Sequence, residues 1–393
     1  MTETLRERLE EITASRVRNS GRRSAVVGLR VPRHDFDHAV AAGVARADSA
    51  RPAAVGDRFH VASVGKMFTA VLVTHAAEAG HFGPSGIDTA LGDIEAAPRE
   101  LVEAVHPAGR TITLRHLLTH TSGMKDNVTD DATGTAVELG SPPSDSLMSR
   151  YLRSVRSIRR GETDDGFALH RWKPWDPGRP GDRMAGILND FIAGGTAASP
   201  VGMPGERFHY SDTAFVLLGV LLEHATGRRY HDLQREQVIV PLGLHNTSLA
   251  YYDDSSTLAR TEEMDIWIGS VPLLSSGFDV SFDWAGGGQV STVGDLMTFL
   301  EALLKPGGGL MGKRFPMNLW TVPHGLTPPR RSIGLGLFRW DAGRRVVVGH
   351  AGAWGVRVFH DPVTDAWLAG TMNEQDDGSW MTEIFDAVED ELR

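Results

Sequence analysis

The chain has 393 residues, of which 41% are hydrophobic and 23% are charged, and its formal net charge is −10. This balance is ordinary for a folded protein, and its acidity argues against a nucleic-acid-binding protein and favours a small-molecule partner. The absence of cysteine excludes disulfides, a thiolate nucleophile and a thiolate metal site.

The first predicted element is an amphipathic helix over residues 4–18, since Leu5, Leu9, Ile12 and Val17 recur at near-helical spacing. This segment has neither the apolar core nor the cleavage site of a secretory signal. No window of the sequence has the length of apolar residues that a membrane-spanning helix needs. We therefore expect a cytoplasmic protein with no membrane partner.

The next segments predict a β-hairpin and then a helix. The strands are predicted at Ser24–Val31 and at about Val40–Ala45, on either side of the turn-rich sequence PRHDFDH. An apolar-periodic helix is predicted from about Ser63 to Ala79, ended by Gly80. Farther along, TLRHLLTHTSGM predicts a short helix closed by Gly123.

The second half of the chain changes from helical to strand-like patterns. A strong helix is predicted in PGERFHYSDTAFVLLGVLLEHATG, and another in STVGDLMTFLEALL, with Ser291 or Thr292 as its N-cap. The segments GLGLFRW, RVVVGH, VRVFHD and AWLAGTMN then alternate like consecutive antiparallel strands. A final helix is predicted from Trp380 to Leu392.

The two ends of the sequence therefore supply strands and flanking helices, whereas the middle is mostly helical. We predict an α/β (α+β) fold in which residues 1–62 and 285–393 form one lobe, an antiparallel sheet flanked by helices. Residues 63–284 are predicted to form an inserted, mostly helical lobe. An extended insertion, rich in Gly, Pro, Asp and Arg, occupies about 127–200.

A nucleophilic site is indicated at the start of the helix predicted from Ser63. Ser63 and Lys66 lie three residues apart, so their side chains share one helix face. A lysine in a partly desolvated pocket can take the proton of a serine hydroxyl, and the N–H of Ser63 is free to stabilise an oxyanion. By itself the pair is equally compatible with a surface serine and lysine.

Several sequence blocks occur in a family-specific order: GDRFHVASVGKMFTA, LRHLLTHTSGM, PGERFHYSDTAF, PLGLHNTSL, GGGQVSTVGDLMTFL and GHAGAWG. With them the chain resembles the class C β-lactamases and penicillin-binding-protein-like serine hydrolases, from about residue 24 to the C-terminus except in the 127–200 region. That family also contains esterases, D-aminopeptidases and acyltransferases. The resemblance implies a β-lactamase/transpeptidase-like fold.

The resemblance also assigns catalytic roles. Ser63 matches the acylated serine and Lys66 its partner. Tyr210, in HYSD, matches the tyrosine that shuttles the proton to the leaving group, and we expect the lysine ammonium to lower the pKa of its phenol.

A third motif of the family is matched near the C-terminus, where His350 is the fourth predicted catalytic residue. The strand that carries this motif supplies the second oxyanion N–H just beyond Gly352, which here is Ala353. Gly352, Ala353 and Trp354 are therefore predicted to border the oxyanion and the substrate, together with Asp212 from the tyrosine block.

Two positions depart from the family pattern. Asp212 stands where the family usually has Asn, so an anion beside Lys66 is expected to keep that lysine protonated and to shift the base role toward Tyr210. His350 stands where a lysine recognises the carboxylate of penicillins, which a neutral imidazole does poorly. Both changes favour neutral or cationic esters and amides over β-lactams.

Two features have a structural and a functional interpretation. His116 and His120 have the spacing of a zinc-binding pair but lack the metalloprotease glutamate, so no metal site is predicted. The sequence RWKPWDPGRPGD at 171–182 predicts either a lid over the acyl pocket or packing of Trp172 and Trp175 on the helical lobe.

An arginine stripe lies in the 127–200 region. It consists of Arg150, Arg153, Arg156 and Arg160, and it predicts an amphipathic helix with a solvated face. The alternative is docking of an acidic carrier protein or a phosphate-bearing substrate.

We therefore expect a cofactor-free serine hydrolase that forms an acyl-Ser63 intermediate on a small-molecule or peptide ester or amide, and that is closer to an esterase than to a β-lactamase. One alternative is an acyltransferase, thioesterase or peptide cyclase that uses the same acyl-enzyme. A second is a D-amino-acid peptidase or amidase. A non-catalytic binding protein is disfavoured because Ser63, Lys66 and Tyr210 are all present.

Overall fold

A computed structural model describes residues 2–19, 23–162, 166–253, 262–305, 332–374 and 378–392, together with residues 310, 316, 320, 321 and 324. Residues 163–165 of the predicted insertion lie outside the described residues. Among those described, none of the helices combines the length and apolar composition that a bilayer crossing requires.

The helices and strands of the described residues follow in chain order. The helices are α1 (Thr2–Asn19), α2 (Lys66–Glu78), α3 (Arg99–Ala104), α4 (Leu114–Leu118), α5 (Ala136–Leu139), α6 (Leu147–Arg159), α7 (Ile187–Ala193), α8 (Asp212–Thr226), α9 (Tyr230–Gln234), α10 (Val240–Leu242), α11 (Trp284–Gly287), α12 (Val293–Leu304) and α13 (Ser379–Leu392). The strands are β1 (Ser24–Val31), β2 (Phe36–Arg46), β3 (Arg51–Pro52), β4 (Phe59–His60), β5 (Ser248–Leu249), β6 (Trp267–Ile268), β7 (Val271–Pro272), β8 (Gln289–Ser291), β9 (Ser332–Ile333), β10 (Phe338–Ala342), β11 (Arg345–Gly352), β12 (Val356–Asp361) and β13 (Ala366–Thr371).

The main sheet joins the two ends of the chain. Its eight strands run antiparallel in the order β3-β2-β1-β13-β12-β11-β10-β9. The N-terminal strand β1 pairs with the C-terminal strand β13, so that Val26 lies opposite Thr371 and Leu29 opposite Leu368. The predicted α/β fold with an antiparallel sheet is therefore confirmed.

Helices cover both faces of this sheet. On one face, Leu9 of α1 and Trp380 and Phe385 of α13 pack into a buried apolar cluster with β1, β11, β12 and β13. On the other face, α12 approaches β1 so closely that a Cβ at Gly28 would lie 2.9 Å from the Cε atom of Met297. The sheet thus has two buried faces, which explains the nearly continuous apolar sequence of β1.

Most of the regular secondary structure between β4 and α11 is helical, as the sequence predicts. Its central helices α2 and α8 are buried along most of their length, and the ring of Phe68 in α2 stacks on Phe299 of α12 with centroids 3.8 Å apart. The short strands β4, β8 and β5 form a second sheet, in which β8 lies between β4 and β5. The exact lobe boundaries stay a prediction.

Two local predictions need correction, and the structure decides a third between its two alternatives. Strand β2 begins at Phe36, four residues before the predicted start, because it pairs along the whole of β1. Helix α2 begins at Lys66, since residues 62–65 form a 3₁₀ turn. Thr292 caps α12, because its side chain accepts the N–H of Asp295, whereas the Ser291 side chain faces Thr247.

The tryptophans of the 171–182 segment pack against the protein. Trp172 is fully buried between Phe167 and His170, and Trp175 lies half-buried against His224 of α8. Neither lines a cavity beside Ser63. The described contacts support the packing interpretation.

Three arginines of the stripe lie on α6 and Arg160 is its C-cap, with Leu147, Tyr151 and Val155 among the buried residues of the helix. The first member of the stripe, Arg150, is turned toward the protein and forms an ion pair with the buried carboxylate of Asp190. This arginine is therefore engaged within the chain, and docking of an acidic partner stays a prediction.

Candidate active site

Ser63 lies in the 3₁₀ turn of residues 62–65, which is held tightly by its neighbours. The turn begins with Ala62 in the left-handed region (φ +48°), a conformation that costs about 1–2 kcal/mol for a residue with a Cβ. A Cβ at Gly65 would lie 2.7 Å from the Cα of Gly287, and one at Gly287 would lie 2.2 Å from the carbonyl oxygen of Ala62. The absence of a side chain at Gly287, at the end of α11, is therefore required for the position of Ser63.

Lys66 begins α2 one turn after Ser63, and its side chain is fully buried. Its ammonium donates hydrogen bonds to Ser63 Oγ at 3.3 Å, to the carbonyl oxygen of Gly286 at 2.8 Å and to the carboxylate of Asp212. An ammonium group has three N–H donors, so these three acceptors use all of them. The proton of the Ser63 hydroxyl must consequently point away from Lys66.

The charge state of Lys66 follows from two opposed effects. Burial lowers the pKa of Lys66, but the nearby Asp212 carboxylate, with smaller contributions from Tyr210 and Asp283, outweighs burial. The pKa of Lys66 therefore lies well above its ordinary value. The expectation that Asp212 keeps Lys66 protonated is confirmed.

Tyr210 and Asp212 are positioned by the residue between them. Ser211 is the N-cap of α8, because its Oγ accepts the N–H of Ala214 while donating to the carbonyl oxygen of Lys125. The N–H of Ser211 donates to Nδ1 of His120, whose ring stacks on Tyr210 with centroids 4.3 Å apart. The hydrogen bonds of Ser211 thus fix the backbone of the HYSD motif, and stacking on His120 fixes the ring of Tyr210.

The Tyr210 ring lies 5.1 Å from the Lys66 Nζ atom, measured to the ring centroid. Its buried hydroxyl makes no hydrogen bond of regular geometry within the described chain, although the Ser63 hydroxyl and Lys66 are near enough to lower its pKa. Burial is the larger effect, and it raises the pKa of Tyr210 above its ordinary value. The prediction of a lowered pKa is therefore wrong, because it neglected desolvation.

His350 is buried on β11 behind these residues. Its ring packs against Phe338 and Tyr210, and Nδ1 donates to the carbonyl oxygen of Ala351 at 2.7 Å. Burial, assisted by the charge of Lys66, lowers the pKa of His350 to about 3. The imidazole is therefore neutral, as expected, but it does not line the cavity beside Ser63.

A narrow cavity of about 50 Å³ opens beside Ser63. It is lined by His60, Ala62, Ser63, Val128, Met148, Asp212, Val280, Phe282, Asp283, Gly287, Gly288, Ala353 and Trp354. The predicted substrate-binding residues Asp212, Ala353 and Trp354 thus border the same space as Ser63. Gly352 lies just behind, where a Cβ would be 2.4 Å from the carbonyl oxygen of Val61.

Two backbone N–H groups border this cavity without a partner. Neither the N–H of Ser63 nor that of Ala353 donates a hydrogen bond to another described residue. Backbone donors left open at a nucleophile are suited to an oxyanion. The geometry thus brings together a serine, a lysine, a tyrosine and two candidate oxyanion donors.

Asp283 is a cavity residue that the sequence prediction missed. Its Oδ2 lies 2.4 Å from the ideal Cβ position of Gly287, and its Oδ1 lies 2.7 Å from that of Gly286. Burial, with the negative charges of Asp212 and Asp126, raises the pKa of Asp283 to about 7, although Lys66 opposes the shift. The only sequence signal is an acid three residues before the glycine triplet.

His116 lies on α4 and His120 lies two residues beyond its end, so the pair does not share one helix, and both side chains are used inside the chain. His116 accepts the N–H of Thr113 at the start of α4, and His120 holds Ser211 as described. Over the described ranges, no three histidine or carboxylate side chains form a group suited to a metal ion.

Comparison with known proteins supports a relationship along nearly the whole chain. The model of the family described as "Beta-lactamase" matches residues 9–387. A beta-lactamase-like protein of Arthroderma benhamiae is 33% identical over 105 residues, which are 27% of this chain and only 16% of that protein.

Two solved structures illustrate the fold. A D-amino acid amidase from Ochrobactrum anthropi superposes with a TM-score of 0.69 at 19% identity, covering 99% of both chains. EstCE1, a hydrolase with promiscuous acyltransferase activity, superposes with a TM-score of 0.66 at 19% identity, covering 98% of this chain and 99% of that one. At this identity the likeness establishes the fold alone.

Proposed function

Because the chain belongs to the beta-lactamase family, we propose that it is a serine hydrolase that acylates Ser63 with an ester or amide substrate. One observation carries the proposal. The Lys66 ammonium donates to Ser63 Oγ at 3.3 Å, at the edge of a cavity that also contains two open backbone donors. This is the arrangement that nucleophilic acyl transfer needs.

In the proposed acylation, Ser63 Oγ attacks the substrate carbonyl and the bond to the leaving group breaks. Lys66 stays charged, and its hydrogen bond to Oγ favours the developing serine alkoxide. The serine proton passes to the Tyr210 hydroxyl as Tyr210 gives its own proton to the leaving group. Because burial raises the pKa of Tyr210, a concerted relay fits better than a stable phenolate.

The N–H groups of Ser63 and Ala353 hold the carbonyl oxygen as it becomes negative. Deacylation uses the same groups in reverse. Water gives its proton to Tyr210, its oxygen adds to the acyl carbon, and the Ser63 oxygen leaves with the proton that Tyr210 returns. No cofactor takes part in this scheme.

Esters and simple amides suit the site better than β-lactams. The neutral, buried His350 supplies no charge for a penicillin carboxylate, the charge of Lys66 is balanced by Asp212, and the ionised form of Asp283 would repel the carboxylate. We therefore propose an esterase-like or amidase-like enzyme. Transfer of the acyl group to an alcohol or amine is the second candidate, favoured by the structural similarity to a hydrolase with acyltransferase activity.

A substrate panel tests the proposal. The purified protein is assayed by absorbance and chromatography with p-nitrophenyl esters, a cephalosporin and D-amino-acid amides, with and without a primary alcohol. We expect turnover of esters or amides well above that of the cephalosporin. Cephalosporin hydrolysis faster than any ester or amide would overturn the esterase-like assignment, and products containing the alcohol would favour the transferase.

A further inference from the structure

The Asp283 carboxylate lines the same cavity as Ser63, yet it makes no hydrogen bond or ion pair with another described residue. It lies against the backbone of Gly286 and Gly287, at positions where any side chain would displace it. The two glycines therefore leave space for a carboxylate that faces the cavity. Asp283 is half-buried, and a carboxylate that is partly removed from water is unfavourable unless a donor or a cation satisfies it.

The cations near Asp283 are already engaged. Lys66 donates all three of its N–H bonds, to Ser63, Asp212 and the Gly286 carbonyl oxygen. The charges of Lys66 and Asp212 therefore balance each other. His60, which also lines the cavity, contacts the carboxylate of Glu263 at 3.2 Å.

The remaining cavity walls are apolar. They are formed by Val128, Met148, Val280, Phe282 and Trp354. Since a single water needs about 10–15 Å³ of such a cavity, the space of about 50 Å³ accommodates a small group. A substrate that fits would present one positive charge to Asp283 and a short apolar substituent to the walls.

We propose that Asp283 binds an ammonium group on the acyl part of the substrate, so that the enzyme prefers small aminoacyl esters and amides. This inference rests on the proposed function, because it uses the same cavity and the same acyl-enzyme. It also gives the glycine triplet a second role, since Gly286 and Gly287 leave room for the carboxylate.

The groups that act on Asp283 define a pH dependence. Lys66 lowers its pKa, Asp212 and Asp126 raise it together with burial, and Tyr230 lies near enough to respond to its charge. With the pKa of Asp283 at about 7, the carboxylate gains charge between pH 5.5 and 7. An α-ammonium group stays mostly protonated in this range. The preference for a cationic substrate therefore rises with pH.

An isosteric pair of ligands tests the proposal. Alaninamide, as both enantiomers, and isobutyramide differ only in an ammonium group that replaces a methyl group. Their binding to the whole protein is measured by calorimetry, which does not require turnover. Catalysis is measured with the alanyl and isobutyryl p-nitroanilides and p-nitrophenyl esters.

Asp283→Asn is the test variant and Asp279→Asn its control, because Asp279 is an acid of the same segment that does not line the cavity. We expect the wild type to bind one alaninamide enantiomer more tightly than isobutyramide by about tenfold or more, as for a hydrogen bond to a charged group. Asp283→Asn should bind the two ligands about equally, whereas Asp279→Asn should keep the wild-type ratio of affinities. The wild-type ratio should also increase from pH 5.5 to 7.

Equal binding of the two ligands by the wild type, or a ratio that survives in Asp283→Asn, would overturn the proposal. If Asp283→Asn does not fold, the wild-type ratio and its pH dependence decide the question. Failure of the proposed function would look different, because a fluorophosphonate would then not label Ser63 and isobutyryl esters would not be hydrolysed, whatever the binding ratio.

Discussion

The buried ammonium of Lys66 forms an ion pair with the carboxylate of Asp212 at the first position of α8. This pair fixes the charge of the lysine that contacts Ser63. A lysine that stays protonated cannot accept the serine proton, so the proton must travel through Tyr210. In the proposed mechanism this ion pair therefore determines that Tyr210, and not Lys66, accepts the serine proton.

Lys66→Met and Tyr210→Phe should each remove most of the activity, because both groups act on the same proton transfer. The double variant should be little worse than the worse single variant, since members of one relay are strongly non-additive. Steady-state kcat/KM of an ester measures this. Losses that add fully in log rate would contradict the relay.

Asp212→Asn should lower the pKa of Lys66, because it removes the largest effect that raises it. An opposite charge at this range typically shifts a pKa by about 1 to 3 units. The rate of Ser63 labelling by a fluorophosphonate should then increase at a lower pH than in the wild type. Asp48→Asn, an exposed acid outside the cavity, is the control. If the labelling rate increased at the same pH in the wild type, Asp212→Asn and Asp48→Asn, that result would argue against the role of Asp212.

Gly287→Ala should displace the serine turn, because the new Cβ would lie 2.2 Å from the carbonyl oxygen of Ala62. We expect a loss of about 1–3 kcal/mol in the free energy of unfolding and a strong loss of labelling at Ser63. Gly294→Ala in α12 is the control, since its Cβ meets nothing within 4 Å, and it should be neutral or stabilising. Normal labelling of a folded Gly287→Ala would show that the close contact is not needed.

His350 should make the folded state sensitive to acid. Its pKa is about 3 when folded and 6.5 ordinarily, so between these values the unfolded chain binds a proton that the folded site does not. This contribution to stability is complete above pH 6.5 and is lost as the pH falls toward 3. Relative to His350→Gln, the wild type should lose up to about 1.4 kcal/mol per pH unit. Denaturant unfolding at pH 7.5 and 4.5 measures the difference, and a constant difference would contradict the buried neutral imidazole.

The fold was predictable from local patterns. The alternation in β10 to β13 and the apolar periodicity of α2, α8 and α12 identify the elements, and the order of the sequence blocks identifies the architecture. The start of α2 was misplaced because the 3₁₀ turn around Ser63 depends on contacts with Gly287, which lies more than two hundred residues away.

The site was predictable only in part. Ser63, Lys66 and Asp212 come together as their motifs imply. The pKa of Tyr210 was mispredicted because a neighbouring charge is visible in the sequence, whereas the extent of burial is not. Asp283 was missed for the same reason, since its exposure to the cavity arises from the packing of α11 against the serine turn.

The central claim is that Ser63 forms the acyl-enzyme. The most direct test is intact-mass and peptide-mapping mass spectrometry after reaction with a fluorophosphonate and, separately, after rapid acid quenching during ester turnover. We predict one adduct per chain, located on Ser63, in the wild type and in the exposed-serine control Ser85→Ala. Ser63→Ala should remain folded, since among the described residues the Ser63 hydroxyl caps no helix and accepts only the hydrogen bond from Lys66, and it should carry no adduct and show no turnover. An adduct on another residue, or ester turnover by folded Ser63→Ala, would contradict the assignment.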